Sequence, residues 1–441
     1  MIKGDLRVLV ISHNCFSKVN NNGKTLESIM SGFKKKNISQ IYFSNIEPPD
    51  WDFCNSYFKV TDKDVLISTI TNSKICGQKL SKEKDRFHQD NKTNIYDKTV
   101  SNFKPFFIIL RDTLWNFQKW KNKELKAWSI KQNPHFVFFV GGNYTFSHNF
   151  ADYIANLIDI PLITYFTDDY VIYPEPKNLF DIIQQKKLKK CYLKTIANST
   201  LLFAIGELMA KEYSVYFQRE FHPIMNSVSR TKFDYYNGFK DIEKETISIA
   251  YFGGLHLNRW KMISFLSSII NTNKNLFSKT PDIYIYTNSK ITSDIKRNFK
   301  KNGIIVKKPL VGDELIKKMI DTDILLHVES DDKYNKSLTK LSVSTKIPEY
   351  LLTRNCVLAY GPSEVASIKL LQDNNIGIVI DSKESEKSIL KKLSSLIENK
   401  EKRKEIGNNG YEYAKENFDT KTITSFFTKK IEELIENIHK S

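Results

Sequence analysis

Short apolar runs alternate with helix-like segments along the chain, and near residue 247 the same alternation starts again. Each run has the β-branched and aromatic content of a strand that is buried on both faces. Strands separated by helices pair in parallel, so the pattern predicts an α/β protein with two Rossmann-like, doubly wound sheets. The predicted strands are residues 7–12, 39–43, 136–140, 161–166 and 201–205 in the first half, and residues 247–252, 283–286, 304–306, 324–329, 356–360 and 376–380 in the second.

The length of 441 residues is sufficient for two domains of ordinary size, each with its own core. We predict a first domain over residues 1–225, a second over residues 226–415 and a terminal helix over residues 416–441. Residues 72–131 are predicted to form a basic and aromatic insertion in the first domain. Helical spacing continues from residue 391 to 438, with breaks predicted near residues 408–410 and 417–419.

The segment STKIPEYLLTRNCVLAYG, residues 344–361, combines a helix start, a carboxylate and a buried strand. Ser344 and Thr345 are good N-cap residues, and Pro348 is tolerated only in the first turn of a helix. A helix N-terminus at the mouth of a parallel sheet can bind a diphosphate. Glu349, one turn along, could accept hydrogen bonds from a ribose diol. This segment predicts a nucleotide-sugar site, although it also fits an ordinary helix–strand unit with a solvated glutamate.

Residues 345–351 and the strand at residues 357–359 resemble a segment of the family 4-like glycosyltransferases of the GT-B fold. The resemblance implies two Rossmann-like domains facing across a cleft, with a terminal helix that crosses back onto the first domain. It also implies that Glu349 binds the donor ribose. Many members carry a second glutamate eight residues earlier, and Leu341 occupies that position here. Residues 206–213 resemble a further family segment.

The glycine turn after the first strand of the second half extends the resemblance. In these enzymes such a turn, here Gly253 and Gly254, approaches the donor, and a basic residue a few positions later pairs with the diphosphate. Lys261 matches that spacing and is assigned a catalytic role, with Arg259 as a nearby substitute. The arginine that often follows the turn is replaced by Leu255.

Three further residues complete the implied donor site. Thr345 and Lys346 lie at the start of the helix that carries Glu349, where they would bind the diphosphate. Glu329 ends a buried strand at the ligand edge of the sheet. We predict that Glu329 acts in catalysis by contacting donor sugar hydroxyls, although a strand-end glutamate can also be structural.

The acceptor side is predicted in the first half of the chain. Asn22 and Gly23 lie in the loop region after the first strand, and the Walker pattern fails there because Lys18 stands where it requires glycine. Asp168 and Asp169 follow a buried strand, where ligands bind in parallel sheets. We predict a catalytic role for Asp168 and an acceptor-side role for Asp169. Alternatively, the two aspartates only cap the segment that follows.

Lysine and arginine outnumber aspartate and glutamate by 67 to 50, which gives a net charge of +17. Such a charge favours anionic partners. The sequence contains no nucleic-acid-binding motif, so we expect a nucleotide-sugar, an anionic membrane surface and no nucleic acid. Residues 103–131 interleave tryptophan with lysine, which is typical of a helix lying on anionic lipid. The same spacing also fits a helix that covers the sheet.

The five cysteines are scattered, without a CxxC pair, which argues against a disulfide framework or a zinc site and favours a reducing cytosol. We expect a cytoplasmic protein, peripheral on the inner face of the membrane. The resemblance implies a retaining hexosyltransferase-like enzyme without metal or separate cofactor, which extends a surface glycan on a growing or lipid-linked acceptor. A nucleotide-sugar epimerase of the same fold and a non-catalytic glycosyltransferase-like membrane partner remain alternatives.

Overall fold

The computed structural model describes residues 6–17, 21–45, 49–82, 104–237, 246–279 and 281–440. The chain divides into two compact units, unit 1 with Met1–Ile224 and Thr424–Ser441, and unit 2 with Met225–Ile423. Part of the predicted insertion, residues 83–103, lies outside the described residues.

Unit 1 is built on an eight-stranded sheet with the order β4-β3-β2-β1-β5-β6-β7-β8. Apart from the antiparallel pair β3–β4, neighbouring strands are parallel. Strand β1 is central, since Val8 is in register with Ile38 on one side and Phe136 on the other. The strands are β1 (Val8–Ser12), β2 (Ile38–Tyr42), β3 (Ser56–Lys59), β4 (Gln78–Lys79), β5 (Phe136–Gly141), β6 (Leu162–Phe166), β7 (Ser199–Ala204) and β8 (His222–Pro223).

The helices of unit 1 connect these strands, and some of them begin at side-chain caps. Thr61 and Asp64 form a capping box, and Asn178 accepts a hydrogen bond from the Asp181 amide at the start of another helix. The helices are α1 (Asn21–Met30), α2 (Asp62–Ile70), α3 (Lys104–Trp115), α4 (Lys123–Lys131), α5 (Thr145–Ile158), α6 (Leu179–Asn198) and α7 (Gly206–Phe217), with a 3₁₀ turn at Lys35–Asn37.

The tryptophans of residues 103–131 point into the protein. Trp115, Trp120 and Trp128 are buried in the hydrophobic core of unit 1, and the Trp115 ring stacks on Phe146 with centroids 3.9 Å apart. The expectation that they rest on anionic lipid is therefore wrong for these side chains. The alternative, helices that cover the sheet, describes α3 and α4.

Unit 2 is built on a six-stranded sheet with the order β11-β10-β9-β12-β13-β14, and its strand pairs are parallel. Its strands are β9 (Ser248–Phe252), β10 (Asp282–Tyr286), β11 (Ile304–Lys307), β12 (Ile324–Val328), β13 (Cys356–Gly361) and β14 (Ile378–Asp381). Its helices are α8 (Arg230–Asn237), α9 (Arg259–Thr272), α10 (Ser293–Lys301), α11 (Gly312–Ile320), α12 (Lys333–Thr339), α13 (Lys346–Leu352), α14 (Ala366–Asp373), α15 (Glu386–Glu398) and α16 (Lys400–Asn417), with a 3₁₀ turn at Lys274–Leu276.

Of the two breaks predicted in the helical C-terminal stretch, the one near residues 417–419 is confirmed and the one near residues 408–410 is wrong. Residues 408–410 lie inside α16, and the breaks fall at Asn399 and at residues 418–419. Gly410 does not interrupt the helix; it permits close packing, because a Cβ there would come within 2.8 Å of a methyl group of Leu351 in α13.

The terminal helix α17 (Thr420–Lys440) begins later than the predicted residue 416. Its Phe427 ring lies against Phe138 and Phe203 of the unit 1 sheet, with centroids 5.4 and 5.3 Å apart. The chain therefore returns to unit 1 after completing unit 2. This arrangement and the two parallel sheets confirm the predicted Rossmann-like fold class. No helix in the described ranges is both long and apolar enough to cross a membrane.

Candidate active site

The strand order of each sheet reverses once, between β1 and β5 in unit 1 and between β9 and β12 in unit 2. Helices that follow the strands on the two sides of such a reversal lie on opposite faces of the sheet. A crevice is therefore left at the carboxyl ends of these two strands, where ligands bind in folds of this kind. We call the two places switch point 1 and switch point 2.

At switch point 2, the turn after β9 lies against a lysine from a distant segment. Gly253 has φ of +141°, and a Cβ at this position would lie 2.7 Å from the ammonium nitrogen of Lys346. The Lys346 ammonium also donates to the Tyr251 hydroxyl at 3.2 Å and lies 4.3 Å from the centroid of the Tyr251 ring. Tyr251 in turn donates to the Gly254 carbonyl at 2.6 Å. The turn thus carries a positive charge, although Leu255 replaces the arginine of the resembling family.

On the β12 side of the same switch point lies a buried ion pair. The Nη2 atom of Arg259, at the start of α9, donates to Glu329 Oε1 and Oε2 at 3.2 and 3.1 Å. Glu329 follows the last residue of β12 and is almost fully buried. His327 lies on the same face of this strand, with its Nε2 3.2 Å from Glu329 Oε1. Glu329 is thus the counter-ion of Arg259, which engages both of its carboxylate oxygens.

The pKa shifts at switch point 2 follow from this arrangement. Burial alone would raise the pKa of Glu329, but the charge of Arg259 and the adjacent His327 lower it to about 2. Burial lowers the pKa of His327 despite the neighbouring Glu329, so the imidazole is neutral near pH 7. Burial and the charges of Arg259 and Lys346 likewise lower the pKa of His256. Fixed cations and neutral imidazoles therefore surround one ionised carboxylate.

Helix α13 begins at Lys346 and carries Glu349 in its first turn. Glu349 is half-buried. Thr345 precedes the helix with φ of −61° and ψ of −12°, and its side chain makes no capping hydrogen bond, so its predicted role as a side-chain cap is wrong. Its carbonyl instead accepts a hydrogen bond from Asn226 at 3.2 Å. Leu341 is buried, so the position of the missing family glutamate belongs to the core.

The predicted Lys261 lies apart from the ion pair. It is exposed on α9, and its ammonium lies 5.8 Å from the centroid of the Trp260 ring. Arg259 occupies the place beside Glu329 because the two positions are about 200° apart around a helix of 3.6 residues per turn. The structure therefore brings together Gly253, Gly254, Arg259, Glu329 and Lys346, and it does not bring Lys261 to them.

Switch point 1 is lined by aromatic rings. His13 follows β1, and its ring centroid lies 4.9 Å from that of Tyr144, the residue before α5. The guanidinium carbon of Arg111 lies 4.2 Å from the centroid of the Tyr144 ring, and Arg111 Nε donates to Asp62 at 2.7 Å. Burial and the charge of Arg111 lower the pKa of His13 to about 4, against the opposing effect of Asp62. His13 Nδ1 is buried and has no hydrogen-bond partner.

The two aspartates after β6 differ in their surroundings. Buried Asp169 accepts hydrogen bonds from the amides of Val171, Ile172 and Tyr173 at 2.9–3.0 Å and from the Tyr213 hydroxyl at 3.0 Å. The capping alternative therefore describes the hydrogen bonds of Asp169, and its acceptor-side role stays a prediction. Asp168 is half-buried, and its Oδ2 lies 3.2 Å from the Thr167 hydroxyl and 3.5 Å from the Tyr170 hydroxyl.

Gly23 lies within α1, where the helix passes close to the loop after β1. A Cβ at Gly23 would lie 2.6 Å from Ser17 atoms and 2.9 Å from the Cys15 carbonyl, so only glycine fits without displacing the backbone. This close approach gives Gly23 a packing role in addition to the predicted acceptor-side role. The side chain of Asn22, the other residue of that prediction, lies outside the described residues.

Sequence reasoning did not single out Tyr251, His327 or His13. The signal for His327 was its place two residues before Glu329, since alternate residues of a strand share a face. Tyr251 had the weaker signal of a hydroxyl near the end of a buried strand that precedes a glycine turn. His13 directly follows the first predicted strand, where side chains approach the ligand edge.

The groups that could hold an anion at switch point 2 are the cations of Lys346 and Arg259. A diphosphate is compatible with both, since ammonium and guanidinium groups are its usual partners in proteins. Across the described ranges, no group of three or more histidine, cysteine, aspartate or glutamate side chains is arranged to hold a metal ion.

Comparison with known proteins finds a likeness in three dimensions only. No protein-family model and no curated protein matches the sequence. Sucrose-phosphate synthase from Thermosynechococcus elongatus is similar in structure, with a TM-score of 0.64, 9% identity, 98% of this chain covered and 100% of that one. HepE from Anabaena, solved in complex with UDP-glucose, has a TM-score of 0.59 and 10% identity, with 97% and 100% covered. WaaG, a glycosyltransferase involved in lipopolysaccharide biosynthesis, has a TM-score of 0.55 and 10% identity, with 95% and 98% covered.

Each of these structural alignments covers nearly the full length of both chains, at low sequence identity. They show the fold, and they confirm the GT-B fold expected from residues 345–359.

Proposed function

We propose that this protein is a glycosyltransferase that takes a sugar from a nucleotide-sugar donor bound at switch point 2. The observation that carries the proposal is the lysine held at the glycine turn. The Lys346 ammonium lies 2.7 Å from where a Cβ of Gly253 would be, at the place where a parallel sheet receives a ligand. An anionic group bound there would meet the ammonium of Lys346 beside a turn whose two glycines carry no side chain of their own.

The structural neighbours add support from outside the chain. HepE was solved with UDP-glucose, and a trehalose-6-phosphate protein from E. coli with the same fold was solved with UDP-2-fluoro glucose. A nucleoside diphosphate in this site would have its ribose diol near Glu349 and its phosphates near Lys346. This is the orientation that the resemblance of residues 345–351 also implies.

In the proposed reaction, the bond between the anomeric carbon and the phosphate oxygen of the donor breaks. The acceptor hydroxyl oxygen bonds to the same carbon, and its proton passes to the leaving phosphate. The nucleoside diphosphate that departs gains negative charge in the transition state. Lys346 and Arg259 would stabilise that charge, because cations fixed before the reaction need no reorganisation.

The finer features of the proposal come from the family resemblance. They are retention of the anomeric configuration, independence of metal ions and separate cofactors, and a role in bacterial surface polysaccharide synthesis. Asp168 would orient the acceptor or the donor sugar, and the acceptor would be a growing or lipid-linked glycan. The enzyme would work in the cytoplasm, at the inner face of the membrane.

The test is thermal stabilisation of the purified protein by UDP, GDP, ADP, CMP and TDP in separate samples. A ligand that binds only the native state raises the unfolding free energy by mass action, and the unfolding temperature rises with it. At a ligand concentration of a hundred times the dissociation constant, the gain in unfolding free energy is about 3 kcal/mol. We expect one nucleotide to stabilise the protein, and Glu349→Ala to remove most of that stabilisation. Glu314→Ala, an exposed glutamate of α11, serves as the matched control and should respond like the wild type.

Hydrolysis or transfer is then measured with sugar conjugates of the nucleotide that stabilises the protein. Release of nucleoside diphosphate that depends on an added glycan supports a transferase, whereas interconversion of the sugar without an acceptor supports the epimerase alternative. If none of the nucleotides stabilises the wild type, the donor site is refuted and the non-catalytic partner becomes the better description.

A further inference from the structure

Helix α6 of unit 1 exposes an apolar patch at its N-terminal end. Leu179 is 68% exposed and Phe180 is 47% exposed, and Ile182 and Ile183 beside them are also exposed. A different set of α6 side chains packs against the rest of unit 1. The buried residues of this helix are Gln184, Leu188, Tyr192, Thr195 and Ile196. Contiguous exposed apolar side chains of this kind mark interaction sites.

Lysines follow the patch along the same helix. Lys186, Lys187, Lys189, Lys190 and Lys194 lie in α6 and are exposed, against the single acidic residue Asp181. Lys186, Lys187 and Lys190 form no ion pair with the described residues. The helix therefore presents an uncompensated positive charge next to the apolar patch, which is the composition of a helix that lies in a membrane interface.

The neighbouring helix α7 extends this surface. Val215 and Tyr216 are exposed, and the Lys189 ammonium lies 5.0 Å from the centroid of the Tyr216 ring. A tyrosine with an apolar ring and a polar tip is suited to the headgroup region of a bilayer. We call residues 179–194 and 215–216 the α6 surface.

We propose that the α6 surface binds anionic lipid, with Leu179, Phe180, Ile182 and Ile183 inserted at the headgroup boundary and the lysines on the phosphates. The charge favours this occupant over a second copy of the chain. In a two-fold dimer through this surface, the same lysines would face each other and repel. The apolar patch occupies only the first turns of a 20-residue helix, so the helix would lie along the membrane surface.

The proposal is independent of the donor site, and it replaces the membrane contact expected from the tryptophans of residues 103–131. Those tryptophans are buried in the unit 1 core, whereas the apolar side chains at the start of α6 are exposed. A lipid-bound α6 would hold unit 1 at the surface where lipid-linked molecules are found.

The test is flotation of the purified full-length protein with vesicles of phosphatidylcholine alone or of phosphatidylcholine with phosphatidylglycerol. We expect binding to the anionic vesicles, little binding to the neutral ones, and a loss of binding as salt rises from about 0.1 M to about 1 M, where the screening length falls from about 10 Å to about 3 Å. Leu179→Ser/Phe180→Ser and Lys186→Glu/Lys187→Glu should each reduce the bound fraction at least about tenfold, as expected for a loss of buried apolar area or of lysine–headgroup attraction.

Matched controls lie on unit 2. Leu276→Ser/Val311→Ser removes two apolar side chains that are 61% and 72% exposed, and Lys300→Glu/Lys301→Glu makes the same change of net charge on α10. Both should bind like the wild type, and circular dichroism checks the fold of every variant.

Three outcomes would overturn the proposal: the α6 variants bind like the wild type, the control variants lose as much binding as the α6 variants, or the wild type binds neutral vesicles as well as anionic ones. Concentration-dependent dimers that Leu179→Ser/Phe180→Ser abolishes, without vesicle binding by the wild type, would assign the surface to a second copy instead.

Discussion

The two switch points occupy equivalent places in two similar sheets, yet their side chains differ in kind. Switch point 2 holds Lys346 at a glycine turn and the buried pair of Arg259 and Glu329. Switch point 1 holds a His13–Tyr144 ring contact, and after the neighbouring strand β6 the buried carboxylate of Asp169 is bound by its own loop. The fold therefore offers the same crevice twice, and the two crevices differ in the charged side chains beside them.

The difference shows what a charged site requires inside a protein. A cation or carboxylate at a buried position must have a partner, because an unpaired buried charge is costly. At switch point 2 that partner is Glu329, which keeps Arg259 ordered beside the crevice. At switch point 1 the half-buried His13 is neutral near pH 7, since its pKa is lowered to about 4, and the charge of Arg111 is paired with Asp62.

The largest effect is expected from Arg259→Ala, which removes the partner of a buried carboxylate. The pKa of Glu329 lies at about 2 instead of its usual 4.5, a difference worth about 3 kcal/mol. Breaking a buried pair from one side costs about 3–5 kcal/mol. We expect a loss of this size in urea unfolding at pH 7, together with loss of nucleotide stabilisation.

The double variant Arg259→Met/Glu329→Gln separates the two effects. It leaves no unpaired charge, so it should regain most of the stability but none of the nucleotide response. The sign of the pH dependence gives a second check. In the wild type, the stability from Glu329 is complete above pH 4.5 and disappears as the pH falls towards 2, and in Arg259→Ala this acid-sensitive contribution should vanish. A single variant as stable as the wild type would contradict the role of Glu329 as a buried counter-ion.

A somewhat smaller effect is expected at His13 of switch point 1, and it appears as a pH dependence. Burial and Arg111 lower its pKa from 6.5 to about 4, so the unfolded chain binds a proton in this range and the native protein does not. Stability should therefore fall as the pH drops from 6.5 to 4, with about 3 kcal/mol from this group. In His13→Asn, the unfolding free energy should lose this dependence on pH, so that its fall between pH 6.5 and 4 is smaller than in the wild type by about 3 kcal/mol.

His256→Asn gives the comparison at switch point 2. The pKa of His256 is also lowered, by burial and by Arg259 and Lys346, but this side chain is exposed and its contribution is screened by solvent. We expect a smaller change of slope for His256→Asn than for His13→Asn. If both variants change the slope of unfolding free energy against pH equally, the two switch points favour the neutral histidine to the same extent.

Much of the fold could be predicted because buried parallel strands have a clear signature. All of the long apolar runs became strands, whereas β3, β4 and β8 were missed because they are short edge or near-edge strands with few apolar residues. Residues 408–410 were predicted to break the helix, although Gly410 lies inside α16 and allows close packing there.

The site was harder to predict than the fold, because its contacts join segments that are distant in sequence. Lys346 reaches the turn of Gly253 across 93 positions, and Glu329 reaches Arg259 across 70. Spacing alone favoured Lys261 over Arg259, since both follow the turn and only the rotation of α9 decides which one faces Glu329. Likewise, adjacent Asp168 and Asp169 look equivalent in sequence, but successive residues in a turn face different surroundings.

The smallest effect expected separates these two aspartates, and it tests whether switch point 1 has a reactive side at all. Asp169→Asn loses an acceptor oxygen that the amide of Tyr173 requires, and a hydrogen bond to a charged group is worth about 1.5–3 kcal/mol. Asp168→Asn keeps an acceptor for the Thr167 hydroxyl and should change stability by less than about 0.5 kcal/mol.

Under the proposed function, the two variants rank the other way round in turnover. Asp168→Asn should reduce kcat at least about tenfold, which corresponds to about 1.4 kcal/mol in the activation barrier. Asp169→Asn, where it is folded, should retain the wild-type kcat. Urea unfolding and a sugar-transfer assay on the same two variants measure both orders. If Asp168→Asn turns over like the wild type, the half-buried carboxylate has no catalytic task, and switch point 1 serves only to shape the acceptor crevice.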